Sequence, residues 1–192
     1  MTFDKLADRC LLYVEENKQM IVELLKEAEL EITRKCNMYE DTREYTADGS
    51  ASYGLPSNYK QVIVLTYKGD VLQLLTESDI SYENDGTIGT GTPNGYFIRN
   101  NSFYLNHLPS DGKIRLSYYG TADGAQDTSS DPSPIIPQMY HRDLCDYAIA
   151  IASAKDNSQM HDKHTAIWLR NIQEIINEDA NRELVHTIKR EV

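Results

Sequence analysis

The feature that most constrains the fold is an alternation of polar and apolar side chains in residues 113–119. Ile114, Leu116 and Tyr118 fall on one face of an extended chain, and Lys113, Arg115 and Ser117 fall on the other. A repeat of two residues is typical of a β-strand with one buried face. This predicted strand closes a tyrosine-rich block, residues 55–120, whose short β segments lie between two helical halves of the chain.

Turn-forming residues divide this block into strands. Asn100 and Asn101 tolerate positive φ, so they predict a tight hairpin between strands at residues 96–98 and 103–105. Residues 61–67 form a further predicted strand that is apolar on both faces. Such a strand is either central in its sheet and covered on both sides, or covered by a neighbouring subunit, and the sequence leaves both alternatives open.

Apolar residues recur at helical spacing in four segments, two before the block and two after it. The first stripe includes Tyr13 and Val14, and the second reaches about Tyr39. These stripes predict an α+β fold, an antiparallel helical bundle built from both chain ends with an inserted small antiparallel β domain. The expected bounds are 1–44 and 135–180 for the two halves of the bundle, 45–134 for the β-rich insertion, and 181–192 for the tail.

Composition excludes several classes of protein. The chain of 192 residues has a net charge of −11, and recognition of nucleic-acid phosphates needs clustered Lys and Arg. Cys10, Cys36 and Cys145 are widely separated, so they are expected to be buried thiols rather than a disulfide framework or metal ligands. No apolar run reaches the length needed to span a bilayer, so no membrane partner is expected.

The sequence offers little that resembles catalytic chemistry. His161 and His164 lie three residues apart on a predicted helix, with Asp162 between them, and two such histidines can share a metal ion. They define the alternative function, a metal-dependent hydrolase using His161 and His164, although solvated or capping histidines explain the same spacing. The glycine-rich residues 84–95 lack the Gly-Lys-Ser/Thr ending of a phosphate-binding loop, so they predict a hairpin tip. No cofactor and no catalytic residue are expected.

A set of short motifs follows in order along the chain. They are Leu-Pro-x-x-Tyr at 55–59, Leu-Leu-Thr-Glu-Ser-Asp-Ile at 74–80, Pro-x-x-Tyr-x-Ile at 93–98, Phe-Tyr-Leu at 103–105, Pro109, Leu-Ser-Tyr-Tyr-Gly at 116–120, Tyr-His at 140–141, and residues 146–152. In this order the sequence resembles the head-to-tail adaptor proteins of tailed bacteriophages, over most of its length.

The resemblance implies a structural virion protein without catalytic residues. Such adaptors form a ring, usually of twelve copies, under the portal and extend the DNA channel toward the tail. The implied partners are further copies of the chain, the portal protein, tail or nozzle proteins, and DNA that passes without specific binding. The implied location is the head–tail junction of the virion, after synthesis in the host cytoplasm.

Two sets of contact residues are predicted. The two-faced strand and an aromatic residue on the polar face of the last strand predict ring contacts at Ile63, Leu65, Tyr67 and Tyr119. The resemblance also implies that residues 181–192 form a C-terminal arm that inserts between portal subunits, through Leu184, Val185, Ile188, Lys189, Arg190 and Val192. The other interpretation is that the fourth helix continues and packs Leu184 and Ile188 on its own bundle.

Overall fold

The structure, a computed structural model, describes residues 1–76, 79, 88–124 and 132–190, with the backbone alone over 183–190. The chain divides into two compact units. Met1–Tyr39 and Thr121–Val192 form the helical unit, and Glu40–Gly120 form the β unit.

The helical unit contains four α-helices within the described residues. They are α1 (Phe3–Cys10), α2 (Lys18–Lys35), α3 (His141–Ser153) and α4 (Ser158–Arg190), with single 3-10 turns at Ala122–Gly124 and Gln138–Tyr140. Side-chain oxygens cap the first two helices, because Thr2 accepts from the backbone N–H of Lys5 and Asn17 accepts from that of Gln19. Each cap satisfies a backbone donor that the helix itself leaves unpaired.

The apolar stripes of the four helices pack into one core. Leu6, Leu25, Leu144 and Trp168 each contribute to it from a different helix. The residue Glu29 is buried on α2, and its Oε1 accepts the backbone N–H groups of Ile135 at 2.6 Å and Ile136 at 3.2 Å. A buried carboxylate therefore fixes the chain segment that leads into α3.

The β unit contains eight strands within the described residues. They are β1 (Glu40–Thr46), β2 (Ser52–Gly54), β3 (Tyr59–Tyr67), β4 (Asp70–Val71), β5 (Gln73–Leu74), β6 (Gly95–Arg99), β7 (Ser102–Leu105) and β8 (Lys113–Gly120). They form two four-stranded sheets, in the orders β1-β8-β3-β4 and β2-β7-β6-β5. The unit has its own hydrophobic core, in which Tyr53, Phe103 and Leu116 are buried.

Two predictions about this unit are confirmed. Ile114, Leu116 and Tyr118 on β8 are buried, whereas Lys113 and Arg115 are exposed. The hairpin between β6 and β7 turns at Asn100 and Asn101, whose φ angles of 48° and 59° lie in the left-handed region that asparagine tolerates.

The two-faced strand is explained by a β-bulge. Val62 pairs with Tyr118 and Val64 pairs with Ser117, so Ile63 is an extra residue in β3 between two ladder positions. An extra residue shifts the alternation by one, so the buried face changes from Val62 on one side of the bulge to Leu65 and Tyr67 on the other. The bulge therefore explains why Val62, Leu65 and Tyr67 all face the core, whereas Val64 stays on the outer face and is partly exposed.

The predicted proportions of the fold are wrong. The chain is α+β, but the β part is not a small antiparallel insertion in a helical bundle. It comprises two sheets with a core of their own, and β5 pairs with β6 in parallel. The sequence patterns also missed β1. The second helix was expected to reach about Tyr39 and to be followed by a loop, but α2 ends at Lys35. The strand β1 is largely exposed and charged, so it shows no apolar alternation.

Candidate functional site

A groove on the helical unit combines apolar and basic side chains. It has a volume of about 490 Å³ and lies among α1, α3 and α4, with Leu6, Ile149 and Ile167 among its apolar lining. We call this surface the α1–α3–α4 groove. Leu12 and Tyr13, in the turn after α1, form part of its wall.

The turn after α1 exposes two large apolar side chains. The backbone N–H groups of Leu12 and Tyr13 donate to the carbonyl oxygens of Arg9 and Cys10, which fixes the turn beyond the helix end. Leu12 is 80% exposed and Tyr13 is 58% exposed. Adjacent exposed apolar side chains beside an apolar groove are typical of a surface that binds another protein.

A buried polar pair lies in the wall of the groove. Nδ1 of His164 on α4 is 2.8 Å from Oδ1 of Asp146 on α3, and the two side chains are only 11% and 7% exposed. The ring of Tyr13 contacts the ring of His164, with 6.2 Å between the two centroids and 58° between the ring planes. The pair therefore links α3 to α4 where the groove is formed.

The charged residues of the groove are mainly basic. Arg9, Arg142 and Lys163 line it and are exposed, and none of them forms an ion pair with a carboxylate among the described residues. Of the described residues that line the groove, Asp146 alone is acidic, and it is bonded to His164. The groove is thus a basic surface in a chain with a net charge of −11.

The structure does not bring His161 and His164 together as a metal site. Nδ1 of His161 lies 2.8 Å from the carbonyl oxygen of Ala150, and Nδ1 of His164 is bonded to Asp146. In the part of the chain that the structure describes, no group of three or more His, Cys, Asp and Glu side chains is arranged to hold a metal ion. The observed contacts give His161 and His164 structural roles at the junction of α3 and α4.

The predicted ring contacts fall into two classes. Leu65 and Tyr67 are 1% and 4% exposed in the core of the β unit, so a neighbouring subunit does not reach them in the folded chain. Ile63, at the bulge, and Tyr119, on the outer face of β8, keep partial exposure. Only Ile63 and Tyr119 remain predictions for a ring interface.

The side chains predicted to form the C-terminal arm lie outside the described residues. The backbone of α4 is helical to Arg190, so the chain is helical through most of residues 181–192. The side chains of Leu184, Val185, Ile188, Lys189 and Arg190, and the whole of Val192, lie outside the described residues. Asp179, one turn before this segment, accepts the backbone N–H of Asn37 at 2.7 Å, which holds α4 to the end of α2.

Sequence patterns missed the groove because it depends on where α1 ends. Helical spacing placed Tyr13 in the core stripe, and that prediction is wrong because α1 stops at Cys10. Arg9, Arg142 and Lys163 belong to three different helices, so no local motif connects them. The adjacent pair Leu12 and Tyr13 beyond a helix end was the one available signal.

No helix among the described residues is both long and apolar enough to cross a membrane. No curated protein matches the chain. A protein-family model described as SU10 adaptor protein matches residues 1–189, which is nearly the entire sequence. The chain therefore belongs to the SU10 adaptor protein family, a family of phage head-to-tail adaptors.

Proposed function

We propose that the protein forms a ring of twelve copies beneath the portal of a tailed phage and extends the DNA channel toward the tail. The observation that carries this proposal is the family match over residues 1–189. Membership of this family makes the protein a structural phage adaptor, a component of the virion that interacts with portal and tail proteins.

The α1–α3–α4 groove supports self-association. Its apolar lining, exposed Leu12 and Tyr13, and unpaired cations are features of a surface that a protein partner covers. A groove that receives a different part of the next copy makes a head-to-tail contact, and such contacts generate rings when the rotation closes. Ile63 and Tyr119 on the β unit are further candidates for contact between copies.

The charge of the chain supports a role around passing DNA. A net charge of −11 per copy gives a ring a strongly negative field. Acidic side chains that face the channel repel DNA phosphates, so DNA slides without binding. The same repulsion opposes association of free copies, so the protein is monomeric or weakly associated until it assembles on the portal.

The C-terminal segment is the proposed portal contact. Leu184, Val185 and Ile188 supply apolar anchors, and Lys189 and Arg190 make the segment locally basic in an acidic chain. Apolar side chains buried between portal subunits offset the conformational entropy that the segment loses on docking. Val192 completes this set.

The test is sedimentation of the protein alone and with the purified portal ring of the same phage. We expect a slowly sedimenting species at low micromolar concentration, and a complex with about one copy per portal subunit when the portal is added. A stable twelve-copy ring without the portal would contradict the templated assembly. Failure to bind the portal under any salt condition would contradict the function itself.

A further inference from the structure

We propose that the α1–α3–α4 groove binds residues 77–85 of a second copy of this chain. The proposal rests on the proposed ring, and it names the two surfaces that meet between neighbouring copies. It follows from the lining of the groove and from the composition of one acidic segment.

The groove selects for negative charge. Arg9, Arg142 and Lys163 approach it from three helices, and none forms an ion pair with a carboxylate among the described residues, although Asp143 lies near Arg142. Other cations of the helical unit, such as Arg34 and Lys155, are also outside the ion pairs of the described residues, so what distinguishes the groove is that three cations line one surface. Unpaired cations that converge on one groove attract an acidic partner and reject a basic one.

The groove also selects for apolar anchors. Leu6 and Ile149 form its floor and are almost fully buried, so the apolar surface open to a partner comes from Leu12, Tyr13 and the partly exposed Ile167. Burial of one or two large side chains against such a surface supplies most of the binding free energy, whereas the surrounding charges fix the register. A suitable occupant therefore carries several carboxylates and at least two large apolar residues.

Residues 77–85 have this composition. They carry four carboxylates, at Glu77, Asp79, Glu83 and Asp85, and contain neither lysine nor arginine. The carboxylate of Asp79 accepts from the backbone N–H and the hydroxyl of Thr76 in its own chain, so the charge contact with the groove is assigned to the other three. Ile80 and Tyr82 lie between the acidic residues. Other acidic stretches are less suitable: residues 40–48 include Arg43, and residues 123–131 have no large apolar side chain.

The contact joins two different surfaces, so each copy donates its segment to one neighbour and receives a segment from the other. Repetition of this contact gives a closed ring when the rotation between copies is a whole fraction of a turn. The groove and the acidic segment are then occupied on every copy of the ring.

A synthetic peptide of residues 77–87, labelled with a fluorophore, tests the contact on the full-length protein. We expect saturable binding by fluorescence anisotropy, weakened by added salt and by at least tenfold in the Arg9→Glu/Lys163→Glu variant. Arg34→Glu/Lys155→Glu is the matched control, because it makes the same charge change at two exposed residues that do not line the groove. Equal loss in both variants, or no binding to the wild type, would overturn the proposal.

A charge swap in the full chain separates this proposal from the ring itself. Glu83→Lys/Asp85→Lys should block ring formation on the portal, and adding Arg9→Glu/Lys163→Glu to the same chain should restore it. If Arg9→Glu/Lys163→Glu alone forms rings as the wild type does, the groove proposal is wrong and the ring stands. If the wild type forms no ring, the proposed function fails, and the peptide titration still decides whether the groove binds the segment.

Discussion

Nδ1 of His164 and Oδ1 of Asp146 are 2.8 Å apart in the wall of the α1–α3–α4 groove, and both side chains are almost fully buried. One belongs to α4 and the other to α3, so their hydrogen bond fixes the spacing of the two helices beneath Tyr13. A histidine that sequence spacing associates with metal chemistry is therefore part of the scaffold that shapes the α1–α3–α4 groove.

Replacing Asp146 by alanine should destabilise the helical unit by about 2 kcal/mol or more, because it leaves the buried imidazole of His164 without its acceptor. Urea unfolding followed by circular dichroism measures the change. Asp162→Ala, at an exposed position of α4, the helix that carries His164, is the control and should change the free energy of unfolding by less than about 0.5 kcal/mol. Equal effects of the two substitutions would contradict the structural role of the pair.

Neighbouring residues of β3 should respond differently to truncation. Leu65→Ala should cost about 2–5 kcal/mol because Leu65 is fully buried in the β unit. Val64→Ala should cost less than about 1 kcal/mol, since Val64 lies on the opposite face. If Leu65→Ala kept full stability and lost ring formation on the portal, Leu65 would be an interface residue after all.

Stability should depend on the titration of Glu29. Burial raises the pKa of Glu29 from an ordinary value of 4.5 to about 7, against the opposing effects of the Ile136 and Ile135 N–H donors and of Lys26. The folded chain holds this proton more tightly than the unfolded chain, so the stabilising contribution is complete below pH 4.5 and is lost as the pH rises through 7. The loss amounts to about 3 kcal/mol at most.

Glu29→Gln tests this dependence, because glutamine is neutral at every pH and keeps an acceptor oxygen. We expect the free energy of unfolding of this variant to change less between pH 4.5 and 8 than that of the wild type. Glu23→Gln, at an exposed position on the same helix, should keep the wild-type slope. An unchanged slope in Glu29→Gln would show that Glu29 does not titrate in this range.

Truncation after Arg182 should separate the two interpretations of the C-terminal segment. If residues 183–192 dock on the portal, the truncated chain should melt within about 2 °C of the full chain and fail to bind the portal. Asp179, which holds α4 to α2, is retained in this variant. A fall in melting temperature of more than about 5 °C would place the segment in the packing of the helical unit instead.

Local patterns predicted the elements whose residues alternate clearly. The strand β8 and the hairpin at Asn100 and Asn101 follow from a repeat of two residues and from turn chemistry, and both are local properties. The apolar stripes likewise predicted four helices, although α2 ends four residues before the expected position.

The second sheet was harder to predict because its strands are short. Strands β2 and β5 have three and two residues, too few for an alternation to be visible, so the β part was expected to be a small domain. Among the described strands, β1 pairs with β8 alone, and it is largely exposed, so it has no apolar repeat. Sheets of this kind depend on pairing between distant residues, which a single sequence does not display.

The candidate docking groove could not be predicted because it depends on tertiary structure. The bulge at Ile63 sent Leu65 and Tyr67 into the core, and the early end of α1 exposed Tyr13. The extra residue in β3 and the helix end at Cys10 each displace the chain by one to three residues from the regular repeat, and this displacement changes which side chains are exposed to solvent. The family resemblance, by contrast, was inferred from the order of short motifs along the chain, and such local displacements do not change that order.

The proposed ring is tested most directly by electron microscopy of the protein mixed with the portal ring of the same phage. We expect class averages in which a second ring of twelve copies lies under the portal and continues its central channel. Portal rings that stay bare at saturating protein concentration, with intact protein and portal in the same sample, would contradict it.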